Sequence, residues 1–448
     1  MAVVSDYSAL VSKWTWNAGW GGTVHGTPVF LTYSFGDAPL QLDFPTDNSA
    51  YFRSLIEAEK ILFRQAIQAW GDISGVMFFE AAPGLGDLEA GVYDLESGVA
   101  GQGGLPAPGF YWENGSPHLF GVADSTQGGK IYLDYNGATW RIMLHEIGHA
   151  LGLKHPHEDE PLLADHLDDS NHTVMSYNYI ASTGLGALDI EAVQALYGGP
   201  SLDASHVSSW SWDAAVNRLT QVGSEAPEII VGTAAHDVID GRGGNDLIVT
   251  RAGNDVISVS GTQFQVNAGE GLDTLRVDFA STSVALVLHD GGHHYLHLNG
   301  SATVDMKAFA VERIAFKDAT VAFDTGGVAG QAYRLYQAAF AREPDTPGLS
   351  YWVGVMDQGM TLHGVAARFL DSTEFKVTYG MQTTDQALVS LLYLNILGRD
   401  GEPAGQSYWT EYLGSGAFDR AGVLVGFSES EENTTNIAPM IDQGIWLV

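Results

Sequence analysis

The stretch Leu144-His145-Glu146-Ile147-Gly148-His149-Ala150-Leu151-Gly152-Leu153-Lys154-His155-Pro156 decides how the chain is read. On a helix from Thr139 to Leu151, His145 and His149 stand one turn apart on the same face, since side chains four residues apart nearly superpose in projection. Trp140, Leu144, Ile147 and Leu151 take the opposite face, giving the helix an apolar stripe to bury and an imidazole pair to present. Gly152 then offers a left-handed C-terminal residue and Pro156 forbids further helix, a reversal that returns His155 toward the pair. Three neutral imidazoles with one position open describe a catalytic zinc site. Structural zinc sites are closed by a fourth protein ligand, commonly cysteine, and this chain has none. Glu146, next to the first ligand, is the natural general base for a zinc-bound water. The competing reading, ordinary core or surface histidines on a helix, accounts for one histidine but poorly for three at this spacing.

The pattern H-E-x-x-H-x-x-G-x-x-H resembles that of the metzincin metallopeptidases, and the proline directly after the third histidine is most similar to the serralysin branch. That resemblance demands a methionine-containing turn downstream, which Thr173-Val174-Met175-Ser176-Tyr177 supplies. It implies one zinc on His145, His149 and His155, a structural Met-turn at Met175 beneath the imidazoles, and Tyr177 close to the zinc or the developing oxyanion. Serralysins usually carry Trp after that tyrosine. Asn178 stands here instead, which we read as a change in the wall of the cleft.

A chain of 448 residues exceeds one core, and about three domains are expected. Twenty Lys and Arg against 54 Asp and Glu leave a formal charge of −34, which argues against nucleic acid or an anionic membrane as partner. Without cysteine there is neither a disulfide framework nor a thiolate to mask a zinc. The N-terminal residues lack a basic region and an apolar run, and nowhere is there an apolar stretch long enough to span a bilayer.

Before the histidine segment, Val29–Phe35 reads as a strand, Ser49–Trp70 as a helix, Val76–Phe79 as a short strand and Lys130–Asp134 as a strand entering the histidine helix. Residues 82–129 read mainly as loop, with short strands near Phe110 and Leu119. His157 and His172 are expected as exposed loop residues, and Leu188–Gly198 as the closing helix of a catalytic domain.

A repeat of nine residues follows. Asp237, Asp246 and Asp255 are each followed two positions on by an isoleucine, and Gly241-Arg242-Gly243-Gly244-Asn245-Asp246 matches the G-G-x-G-x-D calcium repeat except at its second position. Two nonapeptides make one coil of a parallel β-roll, so Asp237, Asp255 and Asp273 should stack on one side, with Asp246 largely alone on the other, opposite Phe264. Few calcium ions are expected, with Gly241 and Gly243 contributing backbone. Leu275–Phe323 read as antiparallel strands.

The last part repeats at an offset of 57: Leu335-Tyr336, Arg342, Gly348 and Tyr351-Trp352 return as Leu392-Tyr393, Arg399, Gly405 and Tyr408-Trp409. It resembles a tandem helical module of unassigned function in bacterial exported and surface proteins. The ending Asp442–Val448 is similar to serralysin termini, which implies type I export without an N-terminal signal.

The expected architecture is therefore multidomain: an α+β metzincin catalytic domain with a twisted mixed sheet (residues 1–200), a connector (201–229), a calcium-binding β-roll with further strands (230–327) and an all-α tandem repeat ending in the export signal (328–448). The expected function is a secreted zinc endopeptidase acting on protein or peptide substrates, with a surface partner for residues 330–440. The rivals are a surface- or matrix-binding protein served mainly by the helical module, and a metal-dependent hydrolase of another bond.

Overall fold

The computed structural model describes residues 2–17, 25–40, 46–113, 116–124, 128–180, 184–202, 204–289, 293–298 and 306–448. The chain divides into two compact units, one of residues 1–278 with 284–311, the other of residues 279–283 with 312–448.

The first unit begins with a mixed sheet in the order Val76–Glu80, Val29–Phe35, Leu88–Leu95, Lys130–Asp134, Gly101–Gly103. Its first four strands run parallel, and the Gly101–Gly103 edge strand runs antiparallel to Lys130–Asp134. Parallel strands are covered on both faces, which is why every residue of Val29–Phe35 is buried. Helices α1 (Glu57–Gly71) and α2 (Trp140–Ala150) meet through the Trp70 indole, which donates to the Leu144 carbonyl at 3.1 Å, and α3 (Ala187–Tyr197) closes the same core.

Two expectations fail here. Thr46–Arg53 is a strand paired with Leu88–Leu95, and the helix begins only at Glu57. Leu88–Leu95, expected as loop, is a central strand. Its Leu, Ala, Gly and Val carry no alternation because both faces are buried, so the period that betrays a half-exposed strand is missing. The strands near Phe110 and Leu119 are present, as Ala107–Glu113 and Ser116–Asp124.

The same unit continues into the roll. Val238 aligns with Val256 and Val256 with Thr274, while Asp246 aligns with Phe264, so the eighteen-residue coil holds on both sides. Ile239, Ile257 and Leu275 from one sheet and Ile230, Ile248 and Val266 from the other fill the interior. Residues 201–229, expected as connector, include the hairpin Ser209–Asp213 with Arg218–Val222, and the second of these strands is the first rung beside His236–Arg242.

The second unit holds helices α4 (Val328–Phe340), α5 (Thr346–Asp357), α6 (Leu362–Asp371), α7 (Thr373–Tyr379), α8 (Asp385–Leu397), α9 (Pro403–Ser415), α10 (Arg420–Ser428) and α11 (Glu431–Ile441) around one apolar cluster. The internal repeat is visible in its ion pairs. Arg342 binds Glu374 and Asp345, and the equivalent Arg399 binds Glu432 and Glu402. Asp345 also caps α5 through the Gly348 N–H at 2.9 Å. The unit is not purely helical: Ile445–Leu447 pairs antiparallel with Thr320–Ala322, burying Ile445 and Leu447. Among the described residues no helix is long and apolar enough to cross a membrane.

Candidate active site

Helix α2 is capped by the Thr139 hydroxyl, which accepts from the Ile142 N–H, and ends where Gly152 takes φ +99°. That reversal brings the third histidine back, as its spacing requires. His155 Nε2 lies 3.1 Å from His145 Nε2 and 3.0 Å from His149 Nε2.

The other ring nitrogens are all held. His145 Nδ1 faces the Val174 carbonyl at 2.9 Å, His149 Nδ1 the Leu153 carbonyl at 2.8 Å, and His155 Nδ1 the Glu158 carboxylate at 2.8 Å. Each oxygen accepts a hydrogen bond from Nδ1–H, which leaves three Nε2 lone pairs aimed at one point. Burial pushes the His145 pKa down to about 4 and that of His149 to about 3, so both are neutral. Three converging lone pairs repel unless a cation sits between them, and tetrahedral zinc with ligands at about 2.05 Å needs nitrogens roughly 3.3 Å apart. The donor set therefore fits zinc.

Met175 is fully buried against this helix: a Cβ at Gly148 would stand 2.6 Å from its sulfur, so the glycine lets the helix pack close on the thioether. The turn carrying Met175 is fixed by Asp189 of α3, whose carboxylate accepts from the Thr173 hydroxyl and from the Val174 and Gly186 N–H groups.

Glu146 is buried and its pKa is pushed up to about 8 by that burial, with the Gly103 N–H acting in the opposite sense. Gly101 and Gly103 are glycines for a visible reason. A Cβ on Gly101 would press on the Glu146 carboxylate, and one on Gly103 would strike the Glu146 carbonyl, so the edge strand can lie against α2 only without side chains there. A cleft of about 770 Å³ opens between this strand and the histidines.

Tyr177 is 63% exposed at the rim, its ring 4.4 Å from that of His155 and 5.8 Å from that of His145. Its hydroxyl pKa is raised, by burial first and then by the charges of Glu158 and Glu146. Asn178 lies beside the cleft without lining it. Its amide turns to the Asp168 carbonyl, and Tyr177 and Tyr179 line the cleft instead. His157 is an exposed residue of the turn, as expected, with its ring stacked 5.4 Å from that of His155 and leaning on Tyr177. His172 pairs with Asp169.

In the roll, Asp237, Asp255 and Asp273 form the expected column. Asp255 Oδ1 accepts from the Asp237 N–H at 2.7 Å, and Asp273 Oδ1 from the Asp255 N–H at 2.8 Å. Burial holds Asp237 and Asp255 well above the usual carboxylate range, and for Asp255 the two neighbouring carboxylates add to it. Asp255 Oδ2 is buried without a hydrogen bond among the described residues, while the Thr250 hydroxyl nearby donates to the Ala268 carbonyl. Such a column suits a hard divalent cation. Asp246 is not alone on its side: its pKa is pushed up to about 6 by burial and by Glu228 and Glu225, and the Gly243 backbone lies against Glu225. Gly241 lies against Asp246 Oδ2.

Comparison with known proteins agrees with this geometry. Residues 48–198 match the matrixin peptidase family, residues 222–257 the calcium-binding nonapeptide repeat of RTX proteins, and residues 366–437 a domain of unknown function, DUF4214. Serralysin G of Dickeya chrysanthemi is 31% identical over 206 residues, and serralysin of Proteus mirabilis 30% over 214, each alignment covering 41% of this chain and 42% of the relative. Residues 48–198 therefore resemble a metzincin peptidase domain of the matrixin and serralysin kind. Macrophage metalloelastase of Oryctolagus cuniculus is 26% identical over 149 residues, covering 31% of this chain and 28% of its own length. The chain thus spans about two-fifths of the length of the serralysins it matches.

Metzincins of this type use catalytic zinc, and RTX repeats bind calcium. Sequence reasoning missed Glu158, Asp189 and the glycine edge strand of this metzincin domain. Glu158 and Asp189 had a faint signal, an acid three residues past the third histidine and an acid inside the otherwise apolar start of α3. Gly101 and Gly103 had none, since their role depends on the approach of Glu146 on a helix far along the sequence.

Proposed function

We propose that this chain is a secreted zinc endopeptidase of the serralysin type, stabilised by calcium in its roll. The observation that carries the reading is the convergence of three Nε2 atoms with every Nδ1 anchored, beside a buried carboxylate facing an edge strand. His145, His149 and His155 would hold zinc, which when bound supplies Lewis-acid polarisation of the scissile carbonyl and acidifies the attacking water.

The rest is work for the chain's own groups. Glu146 takes the proton of the attacking water and returns it to the leaving amine, a role suited to a carboxyl that lines the cleft together with the three histidines. Tyr177, at the rim over His145 and His155, donates its hydroxyl proton as a hydrogen bond to the oxyanion that develops on the substrate. A substrate extended along the Gly101–Gly103 edge gains main-chain hydrogen bonds that tolerate many sequences, and the close packing of this strand on Glu146 keeps such a substrate near the carboxylate.

Asp237, Asp255 and Asp273, with Asp246 and the Gly241 and Gly243 backbone, hold the calcium. Catalysis occupies residues 1–200, residues 201–217 lead into a roll whose first rung is Arg218–Val222, and the helical unit from 328 on serves attachment to a surface partner. The closing Asp442–Val448 segment serves as a type I export signal, supported by its likeness to serralysin ends. Digestion of a casein-like substrate and a peptide library tests the reading. Cleavage at peptide bonds abolished by a zinc chelator and restored by zinc is expected; an undigested library with zinc bound contradicts it.

A further inference from the structure

Arg242 and Arg251 occupy the same slot of the nonapeptide, the second glycine of G-G-x-G-x-D, and both adopt the left-handed backbone that glycine would take there, φ +55° and +69°. A side chain at such a position carries strain, and at Arg242 the structure offers little in return, with the guanidinium half-exposed and 4.0 Å from Asp240. Arg251 is different. Its guanidinium is buried, Nη1 meeting Asp87 Oδ1 at 2.8 Å and Nη2 donating to the Trp16 carbonyl at 3.0 Å, with the cation 4.9 Å over the Trp16 ring.

Both partners belong to the metzincin domain. The other oxygen of Asp87 accepts from the Thr32 N–H and hydroxyl in the central sheet. Trp16 reaches the end of α2 twice: its indole N–H donates to the Ala150 carbonyl at 2.7 Å, and its backbone N–H donates to the Tyr197 hydroxyl, which in turn donates to the Leu151 carbonyl at 2.7 Å. Ala150 and Leu151 directly follow His149. On the roll side, the Arg251 carbonyl accepts from the Glu270 N–H, the neighbouring Thr250 hydroxyl spans to the next coil, and four residues on stands Asp255 in the carboxylate column.

We propose that Arg251 is a positioning residue that transmits calcium occupancy of the roll to the end of the histidine helix, by way of Trp16. Cation binding by the Asp237, Asp255 and Asp273 column orders the Thr250–Asp255 turn, and that order fixes the Arg251 guanidinium against Asp87 and Trp16. Trp16 then holds the Ala150 and Leu151 carbonyls that set the last turn before the chain reverses toward His155. The proposal rests on calcium binding in the roll and adds a path from there to the site.

The repeat itself suggests the variant. Arg251→Gly restores the consensus glycine at a left-handed position, so the roll keeps its fold and its calcium response. Combining it with Asp87→Asn avoids leaving a buried carboxylate uncompensated. Hydrogen–deuterium exchange is followed in full-length protein in chelator and after calcium addition, at peptides from the roll (residues 229–277) and from α2. In the wild type calcium slows exchange at both. In the double variant the roll response stays within about twofold of wild type, while the calcium-induced slowing at α2 shrinks by about tenfold or more.

An unchanged α2 response in the double variant overturns the proposal, as does loss of the roll response together with that of α2, which would make Arg251 part of the roll alone. A wild-type roll that does not respond to calcium overturns the calcium reading instead. If the double variant does not fold, Arg251→Gln leaves the backbone strain as it is and is judged by the same two peptides.

Discussion

Replacing Asp189 separates the Met-turn from the helix that holds it. The carboxylate is fully buried and accepts from the Thr173 hydroxyl at 2.6 Å, the Val174 N–H at 2.7 Å and the Gly186 N–H at 2.7 Å. Val174 in turn offers its carbonyl to His145 Nδ1, so one side chain stands two bonds behind a metal ligand. Asp189→Ala leaves two amide donors orphaned at about 1–3 kcal/mol each, and a loss of about 3–5 kcal/mol in folding stability is expected once the small cavity is included. His145 loses its support as well, which should weaken zinc by about 10–100-fold.

Asp189→Asn should behave differently. Burial raises the Asp189 pKa from 3.8 to about 6, so keeping it ionised at neutral pH costs on the order of 3 kcal/mol. An Asn carbonyl retains both amide donors while removing that cost, and stability within about 1 kcal/mol of wild type follows. The sign of the pH effect is fixed by the direction of the shift. A carboxyl raised in the fold contributes stability at low pH that is lost as pH rises through about 6, so the Asn variant should lose less stability than wild type between about pH 5 and pH 7. Denaturant titrations across that range, with zinc affinity from a competing chelator, provide the test. An Asp189→Ala protein with unchanged stability and zinc affinity, or an Asn variant as damaged as the Ala one, refutes the reasoning.

Three further outcomes are expected. In chelator, the raised pKa values of Asp237 and Asp255 make the roll most stable at acid pH and progressively less so as pH rises above about 4, and calcium should reverse that slope; a flat profile by circular dichroism counts against the column. Gly103→Ala drives a methyl into the Glu146 carbonyl and should lower kcat/KM by about tenfold or more with zinc content unchanged; wild-type kinetics would remove the edge strand from the substrate path. Arg334→Met removes the buried guanidinium that pairs with the partly exposed Glu429 at 2.6 Å and should destabilise the helical unit by about 1–3 kcal/mol. Small-peptide hydrolysis should stay near wild type, and a parallel loss would place that unit within the catalytic machinery.

What the sequence made legible was whatever depends on local spacing. The histidine helix, its glycine reversal, the eighteen-residue coil and the helical repeat are patterns over a few turns, and the structure places each of them as its period demands. What stayed hidden depends on distant approach. Leu88–Leu95 hid because a strand buried on both faces has no alternation, and Arg251 because its partners lie 164 and 235 residues away. The direction of the Asn178 side chain was hidden for a related reason: its position beside Tyr177 says nothing of which way it turns, and the Asp168 carbonyl decides that.

In the proposed function Glu146 moves the proton while the three histidines hold the metal. Glu146→Gln keeps the volume of a buried side chain and cannot accept that proton, so the direct measurement is peptide hydrolysis by the variant, with zinc quantified in the same sample. Bound zinc at one equivalent with hydrolysis lowered by at least about a hundredfold is the predicted result. Hydrolysis at the wild-type rate with one equivalent of zinc would contradict the account.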